Sequence, residues 1–275
     1  DLKKEILAPP LTLNYGIIGT AFDYLLRFHL QFKNTTKCQD YLGWVASAGY
    51  SGLQLAFDFK KDELNKLNNR FKQSKQSHKL FLKNGKLTND FLANALFLAK
   101  LDLYVRNKMI AQDLFIDNDL DIQDLRNLCN SINLTEFIAS DICLLNPIFG
   151  KASEMVGGAD ADIIIDDTLI DIKVTKHLKL ERDYLNQLLG YYTLALIGGI
   201  NMVYEGTLIK YIGIYFARHG ILWKIPISSF GNSEKINEFK SWFIKYFSNY
   251  KEERRKALKI KIENRKLLER EHPES

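Results

Sequence analysis

Residues 157–173, GGADADIIIDDTLIDIK, constrain the fold more than any other stretch. Residues 163–165 and 169–172 are two β-prone runs, and Asp166-Asp167 between them reads as a two-residue turn. That turn sets Ile165 against Thr168, Ile164 against Leu169, Ile163 against Ile170 and Asp162 against Asp171. Side chains alternate along a strand, so Asp160, Asp162, Asp171 and Lys173 project from one face. The other face carries Ile163, Ile165, Ile170 and Ile172 and is the core surface. Like charges directly opposite each other destabilise a sheet. A divalent cation between Asp162 and Asp171 resolves that conflict, so one side of the hairpin reads as fold and the other as a metal site. The first ligand is open between two residues. The two-residue turn favours Asp162, whereas a Gly-x-x-Asp count from Gly157 favours Asp160, and a one-residue slip exchanges them.

Residues 179–197 read as a helix, on which Gln187 and Tyr191, four apart, share a face. An Asp on one strand, Asp171-Ile172-Lys173 on the next, and Gln187-x-x-x-Tyr191 on the helix after it resemble the PD-(D/E)xK nuclease superfamily, in its RecB-like branch. Gly158-Ala159-Asp160 and Gly19-Thr20-Ala21-Phe22-Asp23 are similar to that branch too. The resemblance covers about residues 146–192 and, thinly, 19–27. It implies an α/β fold with a mixed central sheet flanked by helices, a restriction-endonuclease-like core. It also implies a metal-dependent DNA nuclease that hydrolyses phosphodiester bonds by a metal-activated water.

The expected cofactor is Mg2+, with Mn2+ able to substitute. Magnesium keeps several waters and takes few carboxylates, so Asp162, Asp171 and the Ile172 carbonyl form a sufficient partial shell. Glu154, just ahead of the hairpin, is an additional candidate ligand alongside Asp160, and reads equally as a surface residue. Lys173 would orient or deprotonate the water and stabilise developing charge, while Gln187 and Tyr191 complete the catalytic set. Arg27, Lys151 and Lys176 are candidate DNA contacts; Arg27 reads alternatively as a solvated helix residue. Two other readings stand beside this one: a non-catalytic nucleic-acid-binding module on the same fold, and a Mg-dependent RNase or phosphoesterase.

The net charge of +5 suits a nucleic-acid partner and equally a generic Lys-rich surface. Cys38, Cys129 and Cys143 are widely spaced with no CxxC pair, which argues against a disulfide framework and for a reducing cytoplasm. Some RecB-like nucleases hold a four-Cys iron–sulfur cluster whose last ligands follow the Gln-bearing helix. No Cys follows Cys143, so no cluster is expected. No apolar run is long enough to span a membrane, and no membrane partner is expected.

The chain reads as one nuclease domain over residues 1–250, with a helical insertion over about 40–130. Phe22, Leu25, Leu26 and Leu30 form one helical stripe from Gly19, a glycine that would admit a close strand. Residues 60–86, rich in Lys, Asn, Gln and Ser, read as a helix with loops whose basic residues either track DNA or form a solvated face. Residues 90–106 and 134–145 read as helices, the second stopped by Asn146-Pro147. Residues 211–217 and 221–227 form a second hairpin beside the first, with His219 at its turn, a position that suits a His tolerant of positive φ. In 228–250 the aromatic stripe Phe239, Trp242, Phe243, Tyr246, Phe247 reads as core packing. Residues 251–275 form a charged helix or tail, nine basic against six acidic residues, through which a partner protein or second copy could dock.

Overall fold

The computed structural model describes residues 5–56 and 59–249. The charged segment 251–275 lies outside the described residues. Among those described, eight α-helices surround one six-stranded mixed open sheet. The chain runs α1 (Tyr15–Lys33), β1 (Cys38–Asp40), α2 (Val45–Ala56), α3 (Lys61–Asn84), α4 (Asn89–Asn107), α5 (Asp119–Asn130) and β2 (Cys143–Leu145). It continues with α6 (Lys151–Met155), β3 (Ile163–Ile165), β4 (Thr168–Lys173), α7 (Arg182–Gly198), β5 (Tyr211–Phe216), β6 (Ile221–Pro226) and α8 (233–249). The strands lie in sequence order across the sheet. β1 and β2 are parallel, β2–β3–β4 antiparallel, β4 and β5 parallel, and β5–β6 antiparallel.

Three of the four expected hairpin pairs are present: Ile163 faces Ile170, Ile164 faces Leu169 and Ile165 faces Thr168, whereas Asp162 and Asp171 lie beyond the paired residues. Asp166 takes a φ of 51° in the turn, and its carboxylate accepts the backbone NH groups of Ser140, Asp141 and Ile142. The two faces differ from the simple division into core and metal side. Ile163, Ile165, Ile170, Cys143, Leu145 and Tyr215 join a first core beneath α1–α5. Ile164, Leu169, Leu144, Ile212, Ile214 and Phe216 join a second core beneath α6, α7 and α8. The aspartate face is therefore itself packed, and the polar site occupies only its end.

Four helices do fill the region between β1 and β2, and α4 is their hub, buried from Phe91 to Asp102 on every side. Thr88 caps it by accepting the Phe91 NH. The helix expected within 60–86 is the continuous α3. Leu64, Leu67, Phe71, Ser74, His78 and Phe81 recur three and four apart and form a narrow seam, while the lysines between them face out. A seam this narrow is outvoted by its polar flanks in any composition window.

Four expectations are corrected. Residues 134–145 are not a helix: a 3-10 turn (Leu134–Phe137) leads into β2, whose Cys-Leu-Leu is buried on both faces and so carries no alternation. In α8 only Phe243 is fully buried, while Phe239, Trp242 and Tyr246 are about half exposed and stack on one another at 5.4 Å. Gly19 lies inside α1 with open space where a side chain would be, so it admits no strand. At the β5–β6 turn the positive φ belongs to Gly220, and His219 is buried.

Candidate active site

Hairpin pairing stops at Ile163–Ile170, and beyond that point β4 runs on to Lys173 beside β5 alone. The strand edge so opened leaves the Ile172 NH without a partner on β3. Asp162, at the β3 end, takes it: Ile172 N donates to Asp162 Oδ2 at 2.7 Å. The NH and carbonyl of a strand residue point to the same edge, so the Ile172 carbonyl is directed to the Asp162 side as well. Asp171 and Lys173, one pleat apart on the same face, form an ion pair at 2.8 Å.

Helix α7 brings in the rest. Lys173 Nζ donates to Gln187 Oε1 at 2.9 Å, and Gln187 Nε2 donates to the Tyr191 hydroxyl at 2.8 Å. The ammonium also stands 4.8 Å from the centre of the Tyr184 ring, and Tyr191 stacks on Phe149. Both ends of the Gln187 amide are thus engaged, which makes it the holder of Lys173. α7 is itself seated closely: a Cβ on Gly198 would lie 2.0 Å from the Phe149 carbonyl oxygen.

The carboxylates are electrostatically stressed. Burial pushes the Asp162 carboxyl well above the usual range, and the charges of Asp171 and Asp23 push it further. Burial raises Asp171 too, against the opposing pull of Lys173. Burial also pushes the Tyr191 hydroxyl up to about 12, with Gln187 acting the other way and Asp162, Asp171 and Asp160 adding to the rise. Asp171 is only 2 % exposed.

Asp23 is the residue that sequence reading missed. It lies on α1, and its charge acts on both Asp162 and Asp171. Its Oδ2 is 2.5 Å from Arg27 Nη2, and its Oδ1 is buried with no hydrogen-bond partner. Arg27, at 3 % exposure, is neither the solvated residue nor the open phosphate contact anticipated. Burial opposes its charge, but Asp23, Tyr24 and Asp40 more than offset this. The signal was present: Asp23 and Arg27 are four apart, in the stretch after Gly19 that carries the resemblance.

Behind them lies Asp102, buried on α4, whose carboxyl is pushed up to about 6 by burial, with Arg106 and Arg27 pulling down and Asp23 pushing up. A carboxyl raised in the folded state contributes stability that is full below its unfolded pKa and is lost as pH rises through about 6. Asp102→Asn is therefore expected to gain stability over wild type between pH 5 and pH 8, on the order of 1–3 kcal/mol. Melting temperatures of both proteins at the two pH values check this; an equal difference at both contradicts it.

The remaining candidates are less closely engaged. Asp160 is exposed, in an isolated bridge with Ile148, and reaches the site only through its charge on Tyr191. Glu154 is exposed on α6, as are Lys151 on the same helix and Lys176 on the loop after β4.

Among the described residues, no group of three or more His, Cys, Asp or Glu side chains is placed to enclose a metal ion. The donor set nevertheless fits a hard cation held by one or two carboxylates and water. Asp23 Oδ1 and Asp171 Oδ2 are buried oxygens that accept no hydrogen bond, the second compensated only by the Lys173 ion pair. Comparison of the chain with protein-family models, curated proteins and solved structures returns no match.

Proposed function

We propose that this chain is a metal-dependent DNA nuclease of the PD-(D/E)xK superfamily, RecB-like branch, built on a restriction-endonuclease-like core. The observation that carries the reading is Lys173 held between Asp171 on its own strand and Gln187 on the next helix, beside Asp162. A binding module has no need of a buried Asp171 set beside Asp162, whose cost of ionisation it raises. The mixed sheet with helices on both faces supports the same reading.

Asp162, Asp171 and the Ile172 carbonyl would hold Mg2+ or Mn2+, with Asp23 adding negative charge from α1. When bound, the ion supplies positive charge for the phosphoryl oxygens and a more acidic water. Lys173 then has two tasks: it orients the attacking water and offsets negative charge as the phosphorus–oxygen bond breaks. Gln187 fixes the ammonium in place and Tyr191 fixes Gln187, so little reorganisation accompanies the reaction. Arg27 keeps Asp23 aimed at the carboxylate pair.

Metal binding is testable without DNA. Mg2+ in excess is expected to raise the melting temperature of the wild type by a few degrees, since a ligand at 100 times its Kd stabilises by about 2.7 kcal/mol. Asp162→Asn loses most of that shift and Asp160→Asn keeps it. A shift lost in Asp160→Asn and kept in Asp162→Asn would move the ligand to Asp160; no shift in the wild type would contradict the metal site.

A further inference from the structure

Cys38 and Cys143 lie 105 positions apart in the chain and directly opposite each other in the sheet. They are Cα partners on the parallel strands β1 and β2, and their Sγ atoms are 3.0 Å apart. Neighbouring strands lie about 4.7–4.9 Å apart, within the roughly 4.4–6.8 Å between Cα atoms that a disulfide spans. Both are free thiols, and they are direct partners in the β1–β2 register. Their surroundings differ in a useful way. Cys143 is buried on an interior strand, whereas Cys38 is half-buried on β1, the edge of the sheet. Cys38 is the less buried of the two, and its side chain packs against the first core in which Cys143 is buried. Cys129 stands apart on α5, buried in the first core.

We propose that Cys38 and Cys143 form a redox-active pair, closed by a low-molecular-weight disulfide such as oxidised glutathione and reopened by a dithiol. The Cys38 thiolate attacks one glutathione sulfur, and the first glutathione leaves as its thiolate. Cys143 gives up its proton and attacks the Cys38 sulfur, expelling the second glutathione. Two protein thiols are oxidised and one glutathione disulfide is reduced to two thiols, so electrons balance. The new bond staples a three-residue edge strand to the sheet interior and closes the whole α2–α5 region into one covalent loop. β1 ends at Asp40, whose carboxylate accepts the Gly43 NH and acts on Arg27. The staple therefore also fixes the strand that borders the Asp23–Arg27 pair. It stands independently of the nuclease reading.

The test treats the native, full chain with oxidised glutathione and reads intact mass, linked peptides and melting temperature. The expected product is lighter than the reduced chain by about 2 Da, yields a Cys38–Cys143 peptide under non-reducing digestion and reverts with dithiothreitol. Its melting temperature is expected to rise by roughly 5 °C or more, because the cross-link restricts a long loop in the unfolded chain. Cys143→Ser is expected to stop at a mixed disulfide about 305 Da heavier, and Cys38→Ser, at the more exposed position, to show no change. A wild type that keeps the mixed disulfide, that shows no mass change, or that links through Cys129 overturns the proposal.

Discussion

Asp171→Asn is expected to leave the metal-free protein at least as stable as wild type while lowering DNA cleavage by on the order of 10³-fold. Asp171 is buried, its carboxyl is raised by desolvation, and its charge in turn raises Asp162. Carboxyls raised in the folded state weaken it as pH climbs through their pKa, so the stability advantage of the Asn variant grows with pH. Two effects oppose this: Lys173 loses its ion-pair partner, and the buried amide gains two donors to satisfy. Lys173 is one-fifth exposed and retains Gln187, so the relief at Asp162 dominates. Melting temperature without metal and cleavage rate with Mg2+ are the two readouts. Full activity would remove Asp171 from the site; a marked loss of melting temperature would make it structural.

Arg218→Met is expected to produce the largest loss of stability, about 3–5 kcal/mol. Arg218 and Asp124 are 1 % and 0 % exposed and pair through two hydrogen bonds of 2.7 and 3.1 Å. The guanidinium also donates to the Ala8 carbonyl, and the Arg218 carbonyl accepts the Leu7 and Ala8 NH groups. Asp124 accepts the Leu11 NH. One pair thus ties the N-terminal segment, α5 and the β5–β6 turn together. Removing only the cation leaves Asp124 buried without compensation, which costs more than the pair contributes. Arg218→Met combined with Asp124→Leu should recover a substantial part of the loss. Chemical denaturation of the two variants separates the outcomes: a single-variant loss under about 1 kcal/mol would show the pair to be dispensable.

What was legible in the sequence was whatever depends on neighbours within a few residues. The 163–170 register followed from one turn and strict alternation, and Gln187 and Tyr191 followed from helical spacing. The second hairpin and its place in a mixed sheet followed in the same way. Strand β2 did not, because a three-residue strand buried on both faces has no period to read. Nor did the seam of α3, where six positions among 24 decide the packing. Partnerships across the chain were beyond reach for a different reason. Arg218 and Asp124 are 94 positions apart, and each alone reads as a surface charge. Arg27 illustrates the limit from the other side: its partner Asp23 was visible one turn away, but its burial and the charge of Asp40 that acts on it were not. In the site, Asp162, Asp171 and Lys173 stood out in the sequence, whereas the hydrogen bonds of Asp162 to the Ile172 NH and of Lys173 to Gln187 needed coordinates.

The most direct test of the central claim is digestion of circular and linear, single- and double-stranded DNA by the wild type and Lys173→Ala, with Mg2+, with Mn2+ and with chelator. The wild type is expected to cleave at least one substrate with either metal and none with chelator, and Lys173→Ala to cleave none at an unchanged melting temperature. Cleavage that persists in chelator or in Lys173→Ala, or a folded wild type that binds DNA and cuts none of the four, would contradict it.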